Sequence, residues 1–487
     1  MYLLGYDIGS SSVKAALLDA DSGVCVATAT SPAQEMPMQA PQAGWAEQDP
    51  ERWWQEVQHA THLLKKQQPF DGHTVAGIGI AYQMHGLVCV DKDQQVLRPS
   101  IIWCDSRAVN IGNKAFAQLG QEYCLEHLLN SPGNFTASKL RWVQENEPKL
   151  YERIHKIMLP GDFIAMRLTG EACTTVSGLS EGIFWDFAGN GIAQSLLDYY
   201  KIDRSLLSGI VPTFGLQGKL TETAAKLLGL APGIPVTYRA GDQPNNAFSL
   251  NVLNPGEAAT TAGTSGVVYA VHDQIAYDEQ SRVNTFVHVN NTEADIRNGV
   301  LMCLNGTGIL NSWLRSMTGS LPYNEMNILA GKAPAGADGL RIYPFGNGAE
   351  RILANADGGA SVKNLQFNIH HKEHLLRAAQ EGIVFALRYG VDIMTQMQMN
   401  IKRVRAGHAN MFLSPLFRQV FANTLNVVIE LYNTDGAQGA ARAAGVGAGC
   451  YSLENAFKGM ECIATVEPDA AQAQYQEIYA EWLQGMQ

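Results

Sequence analysis

The sequence predicts an α/β protein made of two related halves, and three observations carry that prediction. The chain opens Leu3-Leu4-Gly5-Tyr6-Asp7-Ile8-Gly9-Ser10-Ser11-Ser12-Val13-Lys14. An apolar run reaches Asp7, a Gly/Ser turn follows, and residues 13–18 are apolar again, which is the pattern of strand, tight turn and strand. The pattern returns about half a chain later in residues 258–261, the turn Ala262-Gly263-Thr264-Ser265-Gly266 and residues 267–271. Finally, 487 residues exceed what one core holds, so two domains of roughly 250 residues, or three smaller ones, are expected.

Each turn exposes backbone N–H groups and hydroxyls that suit phosphate oxygens. A carboxylate placed like Asp7 suits a hard cation or its waters. Either turn alone could be an ordinary polar hairpin. Two copies half a chain apart imply two related halves facing one nucleotide.

Composition excludes several classes. A hydrophobic content of 46% with 17% charged residues describes a packed globular protein. The net charge of -11 argues against nucleic acid or an anionic membrane as the main partner. The eight cysteines are scattered, with no C-x-x-C pair and no zinc spacing, as expected of free thiols in a reducing cytoplasm. No basic leader and no apolar run of about 18 residues is present, so neither a signal peptide nor a membrane span is expected. The expected protein is soluble and cytoplasmic.

After the opening hairpin, residues 24–29 supply a third strand. Trp45-Ala46-Glu47-Gln48-Asp49-Pro50 leads into a helix with Trp53, Val57, Ala60 and Leu64 on one face, Asp49 as its N-cap and Pro50 at its first position. The paired tryptophans read as packing. Residues 75–81 form a buried strand ending in Tyr82-Gln83-Met84-His85-Gly86. A further strand is expected over 96–104, ending in Trp103-Cys104-Asp105-Ser106-Arg107. Strand ends are where α/β sheets place ligands. Met84, His85, Trp103, Asp105 and Arg107 offer donors, acceptors and an aromatic face fit for a polyhydroxylated substrate. Residues 134–170 are mostly helical in pattern. Gly178-Leu179-Ser180-Glu181-Gly182 matches the G-x-S-x-G elbow of hydrolases, but no helix pattern follows it, so the match reads as chance.

Residues 234–239 form a strand that ends in Gly241-Asp242-Gln243. Asp242, just ahead of the second phosphate turn, is placed to accept the proton of an attacking hydroxyl; a plain turn residue is the alternative. In the second half, Ile383, Leu387, Val391, Met394 and Met397 share a helix face that reads as core. Two small-residue segments follow, Gly407-His408-Ala409-Asn410 and Thr434-Asp435-Gly436-Ala437-Gln438-Gly439-Ala440-Ala441. They suit close approach of a flat ligand such as adenine or, equally, tight packing. No P-loop is present, which excludes P-loop NTPases, and no G-x-G-x-x-G opens a helix after a strand, which disfavours a dinucleotide enzyme.

Taken together, these segments resemble the FGGY carbohydrate kinases, which share the actin, Hsp70 and hexokinase (ribonuclease H-like) fold. The likeness is carried by Asp7-Ile8-Gly9-Ser10-Ser11-Ser12-Val13-Lys14, by Trp45-Ala46-Glu47-Gln48-Asp49-Pro50, by Gly241-Asp242-Gln243 and by Gly263-Thr264-Ser265-Gly266. Gln83-Met84-His85-Gly86, residues 103–107 and Leu159-Pro160-Gly161-Asp162-Phe163 most resemble members acting on D-xylulose. The resemblance implies two domains, 1–247 and 248–487, each a mixed sheet flanked by helices, closing on ATP and sugar in a central cleft. It implies transfer of the ATP γ-phosphate to the 5-hydroxyl of D-xylulose, with Asp242 as base. Asp7 would hold Mg2+ through water. Met84, His85, Trp103, Asp105, Arg107, Asp242 and Gln243 would contact the sugar. Gly9, Ser10, Ser11, Ser12, Lys14, Gly263, Thr264, Ser265, Gly407, Ala409 and Asn410 would contact the nucleotide. A homodimer is one allowed assembly. A kinase for another ketose, sugar acid or polyol fits the same residues. A non-catalytic sugar or nucleotide sensor is disfavoured by the presence of both Asp7 and Asp242, and an Hsp70-like ATPase by the lack of a separate substrate module.

Overall fold

Two large mixed sheets organise the chain in the computed structural model, which describes residues 1–486. The first contains β1 (Tyr2–Ile8), β2 (Val13–Asp19), β3 (Cys25–Ser31), β4 (Val75–Tyr82), β5 (Phe214–Lys219) and β6 (Pro235–Gly241). The second contains β7 (Glu257–Ala262), β8 (Gly266–His272), β9 (Asn284–Val287), β10 (Asn298–Leu304), β11 (Arg403–Gly407), β12 (Val428–Tyr432) and β13 (Cys462–Val466). The helices that position functional groups are α1 (Pro50–Gln67), α2 (Thr136–Asn146), α3 (Val176–Glu181), α4 (Asp242–Ser249), α5 (Gly308–Met317), α6 (Tyr323–Ala330), α7 (Lys372–Gln396), α8 (Pro415–Leu425) and α9 (Gly436–Gly447).

In the first sheet the order is β5-β6-β4-β1-β2-β3. The strands β1, β2 and β3 form an antiparallel meander; β4 runs parallel to β1, β6 parallel to β4, and β5 returns antiparallel. In the second the order is β9-β10-β8-β7-β11-β12-β13. There β7 and β8 form the hairpin, β11 and β12 continue parallel to β7, and β13 is antiparallel. Both sheets therefore repeat one topology around a Gly-turn hairpin, as the two turns predicted.

The central strands are apolar on both faces because helices cover both. Leu3, Leu4, Tyr6 and Ile8 of β1 are fully buried. On one side lies α1, started by the Asp49 carboxylate, which accepts from Glu51 N, with Pro50 at its first turn. Its Trp53, Val57, Ala60 and Leu64 are fully buried. On the other side α9 packs on β1 and β4. A Cβ on Gly5 would lie 2.0 Å from Ala437 O, and one on Gly79 would lie 2.0 Å from Ala440 O. Only glycine permits that backbone approach, and it explains the small residues of the 434–441 segment as packing.

The chain divides into two compact units. The first is Met1–Asn251 with Phe286–Asn298 and Thr434–Met460; the second is Val252–Thr285, Gly299–Asn433 and Glu461–Gln487. The chain first leaves unit one at Asn251 and then returns to it twice, so neither unit is one contiguous segment. It does so because α9 and the 286–298 segment bury their contacts in the first unit. The second unit has its own core, in which Ile383, Leu387 and Met394 of α7 meet Val404 and Ile429 of the sheet. The strand expected over 96–104 shrinks to Ser100–Ile101, paired with Glu47–Gln48. Pro99 lacks the N–H that a longer ladder would need.

Candidate active site

In the first unit, the parallel strands β1, β4 and β6 end side by side. Asp7 and Ala240 both pair with Ala81, and Gly241 pairs with Tyr82. Asp7, Gln83-Met84-His85 and Asp242 consequently leave the sheet at one level, at its carboxyl edge. Asp242 is not a loop residue. It opens α4, with Gly241 as the cap.

The two carboxyls are held under strain of charge. Burial pushes the Asp7 carboxyl up to about 6, against the pull of Lys14 and with a further push from Asp435. Burial and the Asp7 charge push Asp242 up to about 7, although Gln243 hydrogen-bonds its carboxyl through backbone and side chain. Lys14 faces Asp7 across the β1–β2 ladder and is exposed. Gly436 is forced by the same carboxylate: a Cβ there would sit 2.4 Å from Asp7 Oδ2. Asp435 caps α9 by accepting from Gln438 N, and Asn245 Nδ2 donates to Gly436 O at 2.9 Å. Beside them the first turn closes with Gly9 N donating to Ser12 O at 3.0 Å, while Ser11 is exposed and Ser10 and Ser12 are partly so. Two like charges at one sheet edge next to exposed hydroxyls are the donor set a hydrated divalent cation fits.

On the other flank, His85 adopts φ 61, a left-handed conformation that a non-glycine residue holds only when its surroundings impose it. They do. Its Nδ1 lies 2.8 Å from Glu181 O, and its ring contacts Phe135 edge-on at 4.8 Å and Phe286 at 5.4 Å. Its carbonyl and that of Ile102 accept from Lys139 Nζ of α2 at 2.9 and 3.0 Å. Burial pulls this ammonium down to about 7. Met84 is buried against Gly241, where a Cβ would meet Met84 Cγ at 2.6 Å and Glu181 Oε2 at 3.0 Å. Burial keeps the Glu181 carboxyl, in α3, well above the usual carboxylate range.

The expected sugar contacts over 103–107 are differently employed. Asp105 is fully buried and accepts from Ala46 N at 2.6 Å and from Arg107 at 2.7 Å. Arg107 also pairs with Glu47 at 2.7 Å and stacks 3.7 Å from the centre of the Trp45 ring. These two residues are framework rather than displayed ligands. Trp103 is 48% exposed, with its indole nitrogen 3.5 Å from Ser10 Oγ. The 45–50 motif belongs to the same frame: Gln48 donates to Ser10 O at 2.6 Å and accepts from Trp53 Nε1 at 3.1 Å, tying α1 to the first turn. The G-x-S-x-G match lies in α3, where Ser180 Oγ donates to Ser177 O and accepts from Val287 N. It is no nucleophile elbow.

In the second unit, the turn after β7 rests on the start of α5. Thr307 Oγ1 donates to Gly263 O at 2.8 Å and Gly308 N to the same oxygen at 2.7 Å. That carbonyl is taken up by the helix start, and Thr264 in the turn is exposed, in a turn of the kind that can bind anions. A cavity of about 570 Å³ adjoins it, lined by Gly263, Thr264, Asn311, Asn327, Asn410 and Leu413 among others. Gly407 ends β11, and Ser265, Gly407 and Ala409 do not line that cavity. Asn410 Nδ2 sits 3.5 Å from a Cβ position on Gly263.

Two family models account for both halves. The N-terminal domain of the FGGY family of carbohydrate kinases matches residues 2–249, and the C-terminal domain of that family matches residues 258–448. The chain belongs to the FGGY family of carbohydrate kinases. It is 30% identical over 457 residues to a xylulose kinase of Escherichia coli (strain K12), covering 92% of this chain and 90% of that protein. Among solved structures, a xyloylose kinase from Brucella ovis matches with TM-score 0.91 and 26% identity, covering 100% of both chains. A xylulose kinase from Rhodospirillum rubrum matches with TM-score 0.88 and 25% identity, covering 99% of this chain and 98% of that one. The fold of this FGGY kinase is accordingly the two-domain, actin-like one.

Sequence reasoning missed several residues of the site in this FGGY kinase. Phe286 and Phe135 bracket His85, Lys139 ties two strand-end loops, and Glu181 backs Met84. Each comes from a distant part of the chain, and none lies in a motif that points to the site. A lysine in an apolar helical stripe was the one available signal, at position 139.

Proposed function

We propose that this kinase transfers the γ-phosphate of ATP to D-xylulose, with Asp242 as the general base. The single observation that carries the reading is the Asp242 carboxyl itself. It stands at the edge shared by three parallel strands, next to Asp7, with its proton affinity raised to about 7, close to the operating pH that suits a base. The likeness to xylulose kinases over nine-tenths of the chain supports the choice of sugar. Asp7 would hold Mg2+ through water, and when bound the cation supplies charge neutralisation for the transferring phosphoryl group. Asp242 accepts the proton of the attacking hydroxyl. Gln243 orients that carboxylate, and His85 and Met84, fixed by Lys139, Glu181 and Phe135, position the sugar. Glycine-turn N–H groups at 9–12 and 263–265 receive phosphate oxygens, and the cavity beside Gly263 takes the adenine. Asp105 and Arg107 act through the loop they brace. The eight thiols are all free and, among the described residues, no helix is long and apolar enough to cross a membrane; a cytoplasmic enzyme is the matching assignment.

The deciding experiment is ADP release from Mg-ATP with D-xylulose, L-xylulose, ribulose, gluconate and glycerol. Preference for D-xylulose is expected; a better substrate elsewhere in the panel would move the sugar and keep the kinase. The base must be ionised to act, so kcat/KM for the sugar is expected to fall about tenfold per pH unit below about 7 and to level off above it. A flat profile between about pH 5.5 and 8 would remove Asp242 from that role. Phe286→Ala deletes one wall of the His85 ring and is expected to raise KM for the sugar about tenfold while leaving KM for ATP unchanged. Equal changes in both constants would count against a sugar-side position.

A further inference from the structure

Among the described residues lining the cavity of the second unit are four asparagines, 311, 324, 327 and 410. Asn327, on α6, is the one whose amide is held by a side-chain neighbour. Gln380 of α7 donates from Nε2 to Asn327 Oδ1 at 3.0 Å. The direction of that bond follows the next one in the relay. Ser414 caps α8, so its Oγ accepts from Phe417 N at 3.2 Å. Its hydroxyl proton goes to Gln380 Oε1 at 2.9 Å. Ser414 is 1% exposed and Gln380 2% exposed, so water does not compete for either group. An amide whose oxygen accepts must present its nitrogen at the other end. The relay from helix cap to Ser414 to Gln380 therefore leaves Asn327 Oδ1 engaged and its NH2 group for the cavity.

We propose that Asn327 reads the nucleotide base, its NH2 donating to an unprotonated ring nitrogen of the purine, and that Gln380 is the positioning residue that locks this donor outward. The proposal rests on the reading that the cavity beside Gly263 holds the base of ATP. It assigns the cavity one donor whose orientation a neighbouring side chain holds. Loss of a net hydrogen bond to a largely desolvated partner costs roughly a factor of ten in affinity.

Equilibrium ATP binding by calorimetry, which needs no turnover, tests this. Asn327→Asp keeps the bond from Gln380 but turns an oxygen to the ring nitrogen; ATP is expected to bind at least about tenfold more weakly, with sugar binding unchanged. Gln380→Glu leaves Asn327 in place but removes the donor that orients it, so the amide turns its carbonyl to the cavity and the same loss is expected. One of 1-deaza-, 3-deaza- and 7-deaza-ATP should bind wild type about tenfold more weakly than ATP does, and that difference should vanish in Asn327→Asp. Melting temperatures within a few degrees of wild type keep the comparison to folded protein, and Asn327→Ala serves in place of any variant that unfolds. ATP affinity within about twofold of wild type in the Asn327 variants, or deaza losses of equal size in wild type and variant, would overturn the inference. Tight ATP binding without sugar phosphorylation would instead overturn the proposed reaction, and no ATP binding at all would overturn both.

Discussion

Asp242→Asn is expected to lower the kcat for sugar phosphorylation about a thousandfold, within the range that a positioned general base contributes. The amide keeps the shape of the side chain and its contact with Gln243, so sugar binding should change little. The same substitution should make the protein more stable at neutral and higher pH. The carboxyl's folded value of about 7 lies above the ordinary aspartate value, so between about pH 4 and pH 7 the folded chain keeps a proton that the unfolded chain has released. Its stabilising contribution is complete below about pH 4 and lost as pH rises through about 7. At about pH 8 wild type therefore holds two negative charges, Asp7 and Asp242, at one partly buried edge, and the neutral amide of the Asp242→Asn variant relieves that repulsion. Melting curves should show a higher Tm for the variant at about pH 8 and a gap that narrows below about pH 7 and closes toward about pH 4. A variant with near wild-type turnover would remove Asp242 from catalysis, and a Tm gain independent of pH would mean that the charge pair is not its source.

Gly79→Ala should be, with Gly5→Ala, among the most damaging single methyls in the first sheet, costing about 3 kcal/mol or more, at the upper end for overpacking. Its added Cβ would lie 2.0 Å from Ala440 O and 3.2 Å from Ala444 Cβ. The first contact is with helix backbone, which cannot move aside as a flexible side chain can. Relief requires α9 to lift off β1 and β4, and α9 carries Gly436 against Asp7. The variant is therefore expected to lose stability and catalytic activity together, measurable by denaturant unfolding and by ADP release. Gly209→Ala is the matched control, since nothing lies within 4 Å of a Cβ there. Equal stability of the two variants would mean that the helix–sheet contact is looser than its backbone distances require.

Much of this architecture was legible because its signals are local. The Gly-Ser turn after Asp7 and its counterpart at Gly263, the Asp49-Pro50 helix start and the stripe of α7 are decided by residues within a few positions of each other. The duplicated hairpin gave the two halves, and the strand ends gave Asp7, His85 and Asp242 as candidates. What misled was also local: residues 96–104 are apolar enough for a strand, yet Pro99 and the pairing with Glu47–Gln48 hold them to two residues.

Tertiary structure decided which polar groups are displayed and which are consumed. Asp105 and Arg107 look like ligands in a sequence because they are charged and follow a strand; Glu47 and Trp45, more than fifty residues away, turn them into framework. The small residues at 434–441 suit a ligand or a helix contact equally in sequence, and Gly5 and Gly79 beneath them make it a helix contact. Phe286 has no motif at all and joins His85 only because the 286–298 segment packs into the first unit. The sequence by itself determined the strands, turns, caps and the carboxylates at the strand ends, since those follow from short-range sterics and hydrogen bonding. Burial, and with it the raised proton affinities of Asp7 and Asp242, was decided by the fold alone, because desolvation depends on chain segments that meet only once the sheet and α9 have closed over them.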